Sequence, residues 1–134
     1  MTDRLTREQR SALMSRVRGR NTRPELAVRK SLRRLGVRFR SYARIAGTTV
    51  DFVLPGRHAV ILVHGCFWHG CRAHYKAPKS SVRYWTDKIA GNMARDRRQI
   101  RALKEADWRV FVVWSHSLRA DPEREISRRL AEKR

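Results

Sequence analysis

Only two cysteines occur in this chain of 134 residues, and no apolar stretch of the kind that opens a secretory signal is visible. Both absences argue against a disulfide framework and for a reduced, cytoplasmic setting. No purely apolar run exceeds five residues, as at Ala59–Val63, whereas a membrane-spanning helix needs about 20. Internal repeats, low-complexity tracts and linkers rich in Gly or Ser are missing too. The length suits one compact domain, 1–134, and not two ordinary ones. Carboxylates are the scarcest charged groups: 12 Asp and Glu stand against 32 Lys and Arg, a formal charge of +20. Such an excess makes the chain self-repelling, which favours a monomer, and predicts a polyanionic partner. Because Arg far outnumbers Lys, planar bidentate contacts with phosphates are favoured over point-charge attraction. A hydrophobic share of 41% supports a core, so a disordered basic tail is excluded.

The charge is unevenly placed. Residues 1–40 carry 13 Lys and Arg but only Asp3, Glu8 and Glu25 as acids. Between Leu26 and Thr86 the single carboxylate is Asp51. The stretch 83–106 has seven bases and three acids, and 107–134 is nearly balanced with seven and five. The basic surface is therefore expected on the N-terminal arm and the middle of the chain.

Periodicity predicts a basic helix over 6–18, interrupted at Gly19. A second helix is predicted to start at Thr22-Arg23-Pro24-Glu25, with Thr as cap, Pro in the first turn and Glu completing a capping box, and to stop at Gly36. Val37-Arg38-Phe39-Arg40 alternates as a strand does. Val50–Leu54 and His58–Val63 read as two more strands around a Pro55-Gly56 turn, and 64–80 as loop. Trp85, Ile89, Met93, Ile100 and Leu103 recur at helical spacing over Val82–Ala106. A strand follows at Arg109–Trp114, and a last helix at 122–132. The order ααβββαβα implies a three-layer α/β domain with a small mixed sheet.

Asp51 lies inside an apolar strand, where an ionised carboxylate is costly unless paired or bound to a cation. It is either an ion-pair partner of an Arg or a ligand for Mg²⁺, which favours one or two carboxylates plus water and phosphate. His64-Gly65-Cys66-Phe67-Trp68-His69 follows the next strand directly. A neutral imidazole can exchange protons with water near pH 7. Phe67 and Trp68 either wedge between bases, where each stacking contact contributes on the order of 1–3 kcal/mol, or cover a small satellite core. Cys66, Cys71 and His74 have metal-ligand spacing, and His116 could close a tetrahedral, structural Zn²⁺ site; unrelated thiols and surface histidines are the alternative. Asp96 shares a helix face with Met93 and Ile100, and either orients a histidine or pairs with Arg97 or Arg101.

The run Val50-Asp51-Phe52-Val53, the hexamer from His64 to His69, Tyr84-Trp85, Asn92-Met93-Ala94-Arg95-Asp96-Arg97-Arg98 and the strand from Trp108 to Trp114 together resemble the very-short-patch-repair (Vsr) endonucleases. The likeness spans roughly residues 10–118, and the hexamer, separated from Asp51 by 12 residues, is highly specific. It implies a restriction-endonuclease-like fold, helices on both faces of the sheet, and nicking of DNA beside T:G mismatches. It also implies site residues. Asp51 and the main-chain carbonyl of Val63 would bind Mg²⁺, with Val at a position where well-known members have Thr. His69 would be the general base, oriented by Glu25. His64 would lie at the scissile phosphate, supported by Asp96. Phe67, Trp68 and Trp85 would intercalate from the major groove, and Met14 would enter the minor groove. Cys66, Cys71, His74 and His116 would hold Zn²⁺. Residues 1–20 would form a DNA-contacting arm, 21–118 the catalytic core and 119–134 a C-terminal helix. Mismatch-repair and repair-polymerase proteins are the expected partners, in a cytoplasmic, nucleoid-associated setting.

Two other readings remain at this level. One is a non-catalytic nucleic-acid-binding module with a zinc clip, which composition alone favours. The other is an endonuclease of the same fold acting on a different lesion or context. The placement of Asp51, His64 and His69 separates the first from an enzyme, because binding alone needs no carboxylate in an otherwise acid-free stretch.

Overall fold

The structure, a computed structural model, describes residues 22–66, 69–71 and 81–132. Helix α1 spans Arg23–Arg34. The Thr22 hydroxyl accepts from the Glu25 amide at 3.4 Å, and Pro24 sits in the first turn where no amide partner is needed. Gly36, at φ +70, lets the chain reverse so that the Val37 amide reaches the Leu32 carbonyl at 3.0 Å. The capping box is recast: the Glu25 carboxylate accepts from the Tyr42 hydroxyl.

Four strands follow in sheet order β1-β2-β3-β4: Arg40–Ile45, Thr48–Leu54, Ala59–His64 and Arg109–Trp114. The strand expected at 37–40 begins only where that stretch ends. Val37 and Phe39 do alternate with exposed Arg38 and Arg40, but their side chains pack against the core before any ladder forms. β1 and β2 make an antiparallel hairpin through Ala46-Gly47, both at positive φ. β2 and β3 are antiparallel, while β3 and β4 are parallel and joined by helix α2, Val82–Glu105. Helix α3, Pro122–Leu130, is capped by Asp121, whose carboxylate accepts from the Arg124 amide at 3.1 Å.

Alternation along β3 divides the core into two. Ala59, Ile61 and Val63 pack with Val28 and Leu32 of α1 and Ile126 and Leu130 of α3. Val60 and Leu62 pack with Leu103 of α2. Helices therefore cover both faces of a mixed sheet, in three layers. In β2 the alternation breaks across Asp51, since Val50 and Val53 both join the α2 side while Phe52 and Leu54 join the other. The β2–β3 pairing also stops at Phe52↔Ile61. The site opens where these two strands part.

Candidate active site

Strand parting leaves the Val63 amide without a ladder partner, and the Asp51 Oδ2 accepts from it at 2.8 Å. No Arg or Lys pairs with Asp51 among the described residues. Burial pushes its carboxyl up to about 6, helped by the negative charges of Glu25 and Asp96; the Val63 amide and His69 oppose the shift. Among the described residues, the ion-pair alternative for Asp51 is not realised.

β3 delivers His64 at its C-terminal end, 4% exposed. The loop then turns back on itself, with the His69 amide donating to the Gly65 carbonyl at 3.1 Å and the Cys71 amide to Cys66 at 2.9 Å. Gly70 adopts φ +62, and a Cβ there would lie 2.6 Å from the Met93 sulfur, so the close approach of loop to helix requires glycine. That turn lays the His69 ring flat on His64, with centroids 4.0 Å apart. The edge of Trp114, opposite His64 in the β3–β4 register, meets both rings, at 5.0 and 6.4 Å.

Asp96 reaches this pair from α2. Its Oδ2 lies 2.5 Å from His69 Nδ1, and its Oδ1 lies 4.0 Å from His64 Nε2. The carboxylate that holds His69 is thus Asp96, not Glu25 as the resemblance implied. The reason is positional: Asp96 projects from α2 onto the histidine loop, whereas Glu25, in the first turn of α1, is held by Tyr42 from β1. Burial, reinforced by the neighbouring His69, pushes His64 down to about 4, with Asp96 opposing. His64 is therefore neutral at pH 7, and its buried Nδ1 has no hydrogen-bond partner among the described residues.

A cleft of about 470 Å³ joins Glu25, Asp51, Val63, His64, His69 and Asp96. Arg23, Arg95, Gln99 and Ser115 also line it. Glu25, Asp51, Val63, His64, His69 and Asp96, all singled out by sequence, are brought together here. Met14, Phe67, Trp68 and His74 lie outside the described residues. Trp85 is placed differently from expectation. It shares the buried face of α2 with Ile89 and Asn92, is 3% exposed, and meets Tyr84 edge-on at 5.0 Å. In this structure its side chain is buried and does not project from the surface.

Cys66, Cys71 and His116 form a second cluster just beyond the cleft, their ligand atoms all within 4.8 Å. His116 Nδ1 is 3.3 Å from the Cys66 sulfur and 3.6 Å from that of Cys71. Two buried thiols and an imidazole form a soft donor set that suits Zn²⁺. Sequence reasoning missed several supporting groups. Ser115 accepts from the Cys66 amide at 3.2 Å and donates to its sulfur at 3.3 Å. Gln99 donates to the Thr48 hydroxyl and the Thr49 carbonyl, fastening α2 to β2. Tyr42, at φ +54, brings its hydroxyl to Glu25. Only Ser115, beside a candidate ligand, carried any local signal.

A sequence profile of the family described as DNA mismatch endonuclease Vsr matches residues 2–75. The type II nicking enzyme V.XorIIP of Xanthomonas oryzae pv. oryzae is 51% identical over 120 residues, 88% of each chain. The DNA mismatch endonuclease Vsr of Escherichia coli is 37% identical over 111 residues, 82% of this chain and 71% of that one. Among solved structures, the catalytic domain of the homing endonuclease I-Bth0305I superposes with a TM-score of 0.53. It covers 80% of this chain and 90% of that one at 20% identity, a likeness of fold.

Proposed function

Because the chain belongs to the DNA mismatch endonuclease Vsr family, we propose that it nicks one strand of duplex DNA beside a T:G mismatch and so initiates very short patch repair. The observation that carries this reading is the Asp51 carboxylate, without a cationic partner among the described residues, lining one cleft with a histidine pair held by Asp96. A binding-only module has no use for three carboxylates in the cleft of a +20 chain. It also leaves unexplained why relatives are named nicking enzymes.

The donor chemistry fits two metals. Asp51, a half-buried hard-oxygen ligand without a cationic partner among the described residues, and the carbonyl of Val63 would hold Mg²⁺. Bound there, Mg²⁺ would neutralise phosphate charge and favour ionisation of a water. Cys66, Cys71, His116 and His74 would hold a structural Zn²⁺ and pin the histidine loop.

With Nδ1 donating to Asp96, His69 keeps its Nε2 lone pair free to take a proton from the attacking water. The resulting imidazolium is stabilised by the Asp96 carboxylate. Water oxygen bonds to phosphorus, the opposite P–O bond breaks, and the leaving oxygen collects a proton from solvent. Neutral His64, at the floor of the cleft, would face the scissile phosphate. Phe67 and Trp68 would wedge at the mismatch from the major groove and Met14 from the minor groove. A wobble pair stacks poorly and is cheaper to pry open. Residues 1–20 would serve as the DNA-contacting arm, 21–118 as the catalytic core and 119–134 as the C-terminal helix. The protein would act as a cytoplasmic, nucleoid-associated monomer handing its nick to mismatch-repair and repair-polymerase proteins. No helix among the described residues is long and apolar enough to cross a membrane.

The test is an end-labelled nicking assay on T:G, U:G and fully paired duplexes in several contexts, with Mg²⁺ or EDTA. Mg²⁺-dependent cleavage beside the mismatched T, lost in Asp51→Ala while binding persists, is the expected result. No cleavage of any duplex by the wild type would sink the proposal.

A further inference from the structure

The cleft does not end at the catalytic groups. A groove of about 440 Å³, lined by Arg23, Pro24, Ala27, Ser115, Leu118 and Arg119, continues from it and shares Arg23, Pro24 and Ser115 with it. We propose that this groove is a strand subsite, in which Arg23 and Arg119 grip a backbone phosphate of the cleaved strand next to the scissile one. The inference rests on the nicking function proposed above.

Electrostatics creates the need. Glu25, Asp51 and Asp96 place three carboxylates in the cleft, and they repel the phosphate that must enter it. Among the described residues, none that lines the adjoining groove is acidic. Both guanidiniums are exposed, and neither has a carboxylate partner among the described residues. Near the C-terminus, by contrast, Arg128 pairs with Glu125 and Arg129 with Glu132. Between the two free guanidiniums, Pro24, Ala27 and Leu118 supply an apolar floor. Cations at the rim with an apolar floor match the alternation of phosphate and deoxyribose along one strand.

The two arginines sit on rigid, separately anchored pieces. Arg23 opens α1 directly behind the Thr22 cap. Arg119 follows the short 3-10 turn Ser115–Leu118, and its amide donates to the His116 carbonyl at 3.5 Å. Ser115 and His116 are the residues that meet Cys66. The thiol–imidazole cluster therefore fixes the histidine loop on one side and the Arg119 arm on the other, which sets the distance between the reacting phosphate and its neighbour.

A phosphate scan tests this. Binding is measured for T:G duplexes carrying a single neutral methylphosphonate at each position of the cleaved strand, with wild type, Arg23→Gln, Arg119→Gln and Arg57→Gln. Arg57 is exposed at the far end of β3 and removes the same charge outside the groove. In wild type, one position within two phosphates of the nick should cost roughly tenfold in affinity when neutralised. Arg23→Gln and Arg119→Gln should lose about the same on unmodified duplex, raise KM more than they lower kcat, and no longer respond to that one substitution. Arg57→Gln should keep the wild-type pattern. An unchanged methylphosphonate pattern in both groove variants would overturn the subsite. If wild type binds but never nicks, the nicking function fails instead, and the same scan, read relative to the mismatch, still judges the groove.

Discussion

His64 and His69 lie face to face with their ring planes within 1° of parallel, and one carboxylate, Asp96, faces both. Stacked at 4.0 Å, the two imidazoles cannot both carry a proton without strong repulsion, and burial selects His64 as the neutral member. The pair therefore has one proton acceptor in reach of the cleft, and Asp96 decides which way it faces.

Asp96→Asn should uncouple the pair. The amide keeps the volume but loses the charge that stabilises protonated His69 and fixes its tautomer. Nicking should fall about 10- to 100-fold, less than the roughly 10²- to 10⁴-fold expected for His69→Ala, which removes the base itself. Single-turnover rates compare the two, with duplex affinity as control. Equal losses would show that Asp96 does more than position its neighbour.

Asp51 should trade stability for function. A carboxyl raised in the fold to about 6 binds its proton more tightly there than in the unfolded chain. Its burial cost is absent below the ordinary carboxylate value, grows through pH 4 to 6 and is complete above. Asp51→Asn should therefore raise stability at pH 7 without added magnesium by on the order of 1–3 kcal/mol, while abolishing nicking. Urea denaturation gives the first number; a destabilised Asn variant would contradict the burial argument.

The pH profile of stability carries a sharper signature. His64, lowered to about 4, releases its proton on folding, so its contribution is lost as pH falls from about 6.5 to 4. Asp51 does the reverse over pH 4 to 6. The two slopes oppose, each approaching about 1.4 kcal/mol per pH unit where its proton difference is complete. Asp51→Asn should leave a stability that falls on acidification, and His64→Asn one that rises. Unaltered slopes in both variants would refute the assignment.

Removing the thiol–imidazole cluster should loosen the site before the core. Wild type should yield Zn²⁺ in equimolar amount to a colorimetric chelator, and Cys66→Ser should yield less and melt several degrees lower. Nicking should drop further than folded content, measured by circular dichroism, would explain. A protein that never contains zinc would remove the basis for this expectation.

Much of this architecture is legible in the sequence because its signals are local. Thr22, Pro24 and Gly36 bracket α1, the apolar runs of β3 and β4 mark buried strands, and the stripe from Trp85 to Leu103 marks α2. β1 is not legible, because its turn is Ala46-Gly47, without the Asn or Asp that usually announces two positive φ values. Which carboxylate meets which histidine is not legible either. That choice depends on the azimuth of α2 against the histidine loop, fixed by contacts such as Gly70 on Met93 and Gln99 on Thr49. The buried seat of Trp85 follows from helical spacing, which places it on the stripe with Ile89, whereas the wedge role comes from the family resemblance.

The parallel pairing of β3 with β4 ends at His64↔Trp114, and both chains leave that last rung into the groups they must deliver: Cys66 and His69 on one side, Ser115 and His116 on the other. A slip of one residue between these strands would turn His64 away from Asp96 and separate Cys66 from His116 in a single event. Hydrogen exchange at the β3 amides and loss of activity should then follow one common opening reaction, and damage to either strand should yield molecules that are whole or inert, with no half-active population between them.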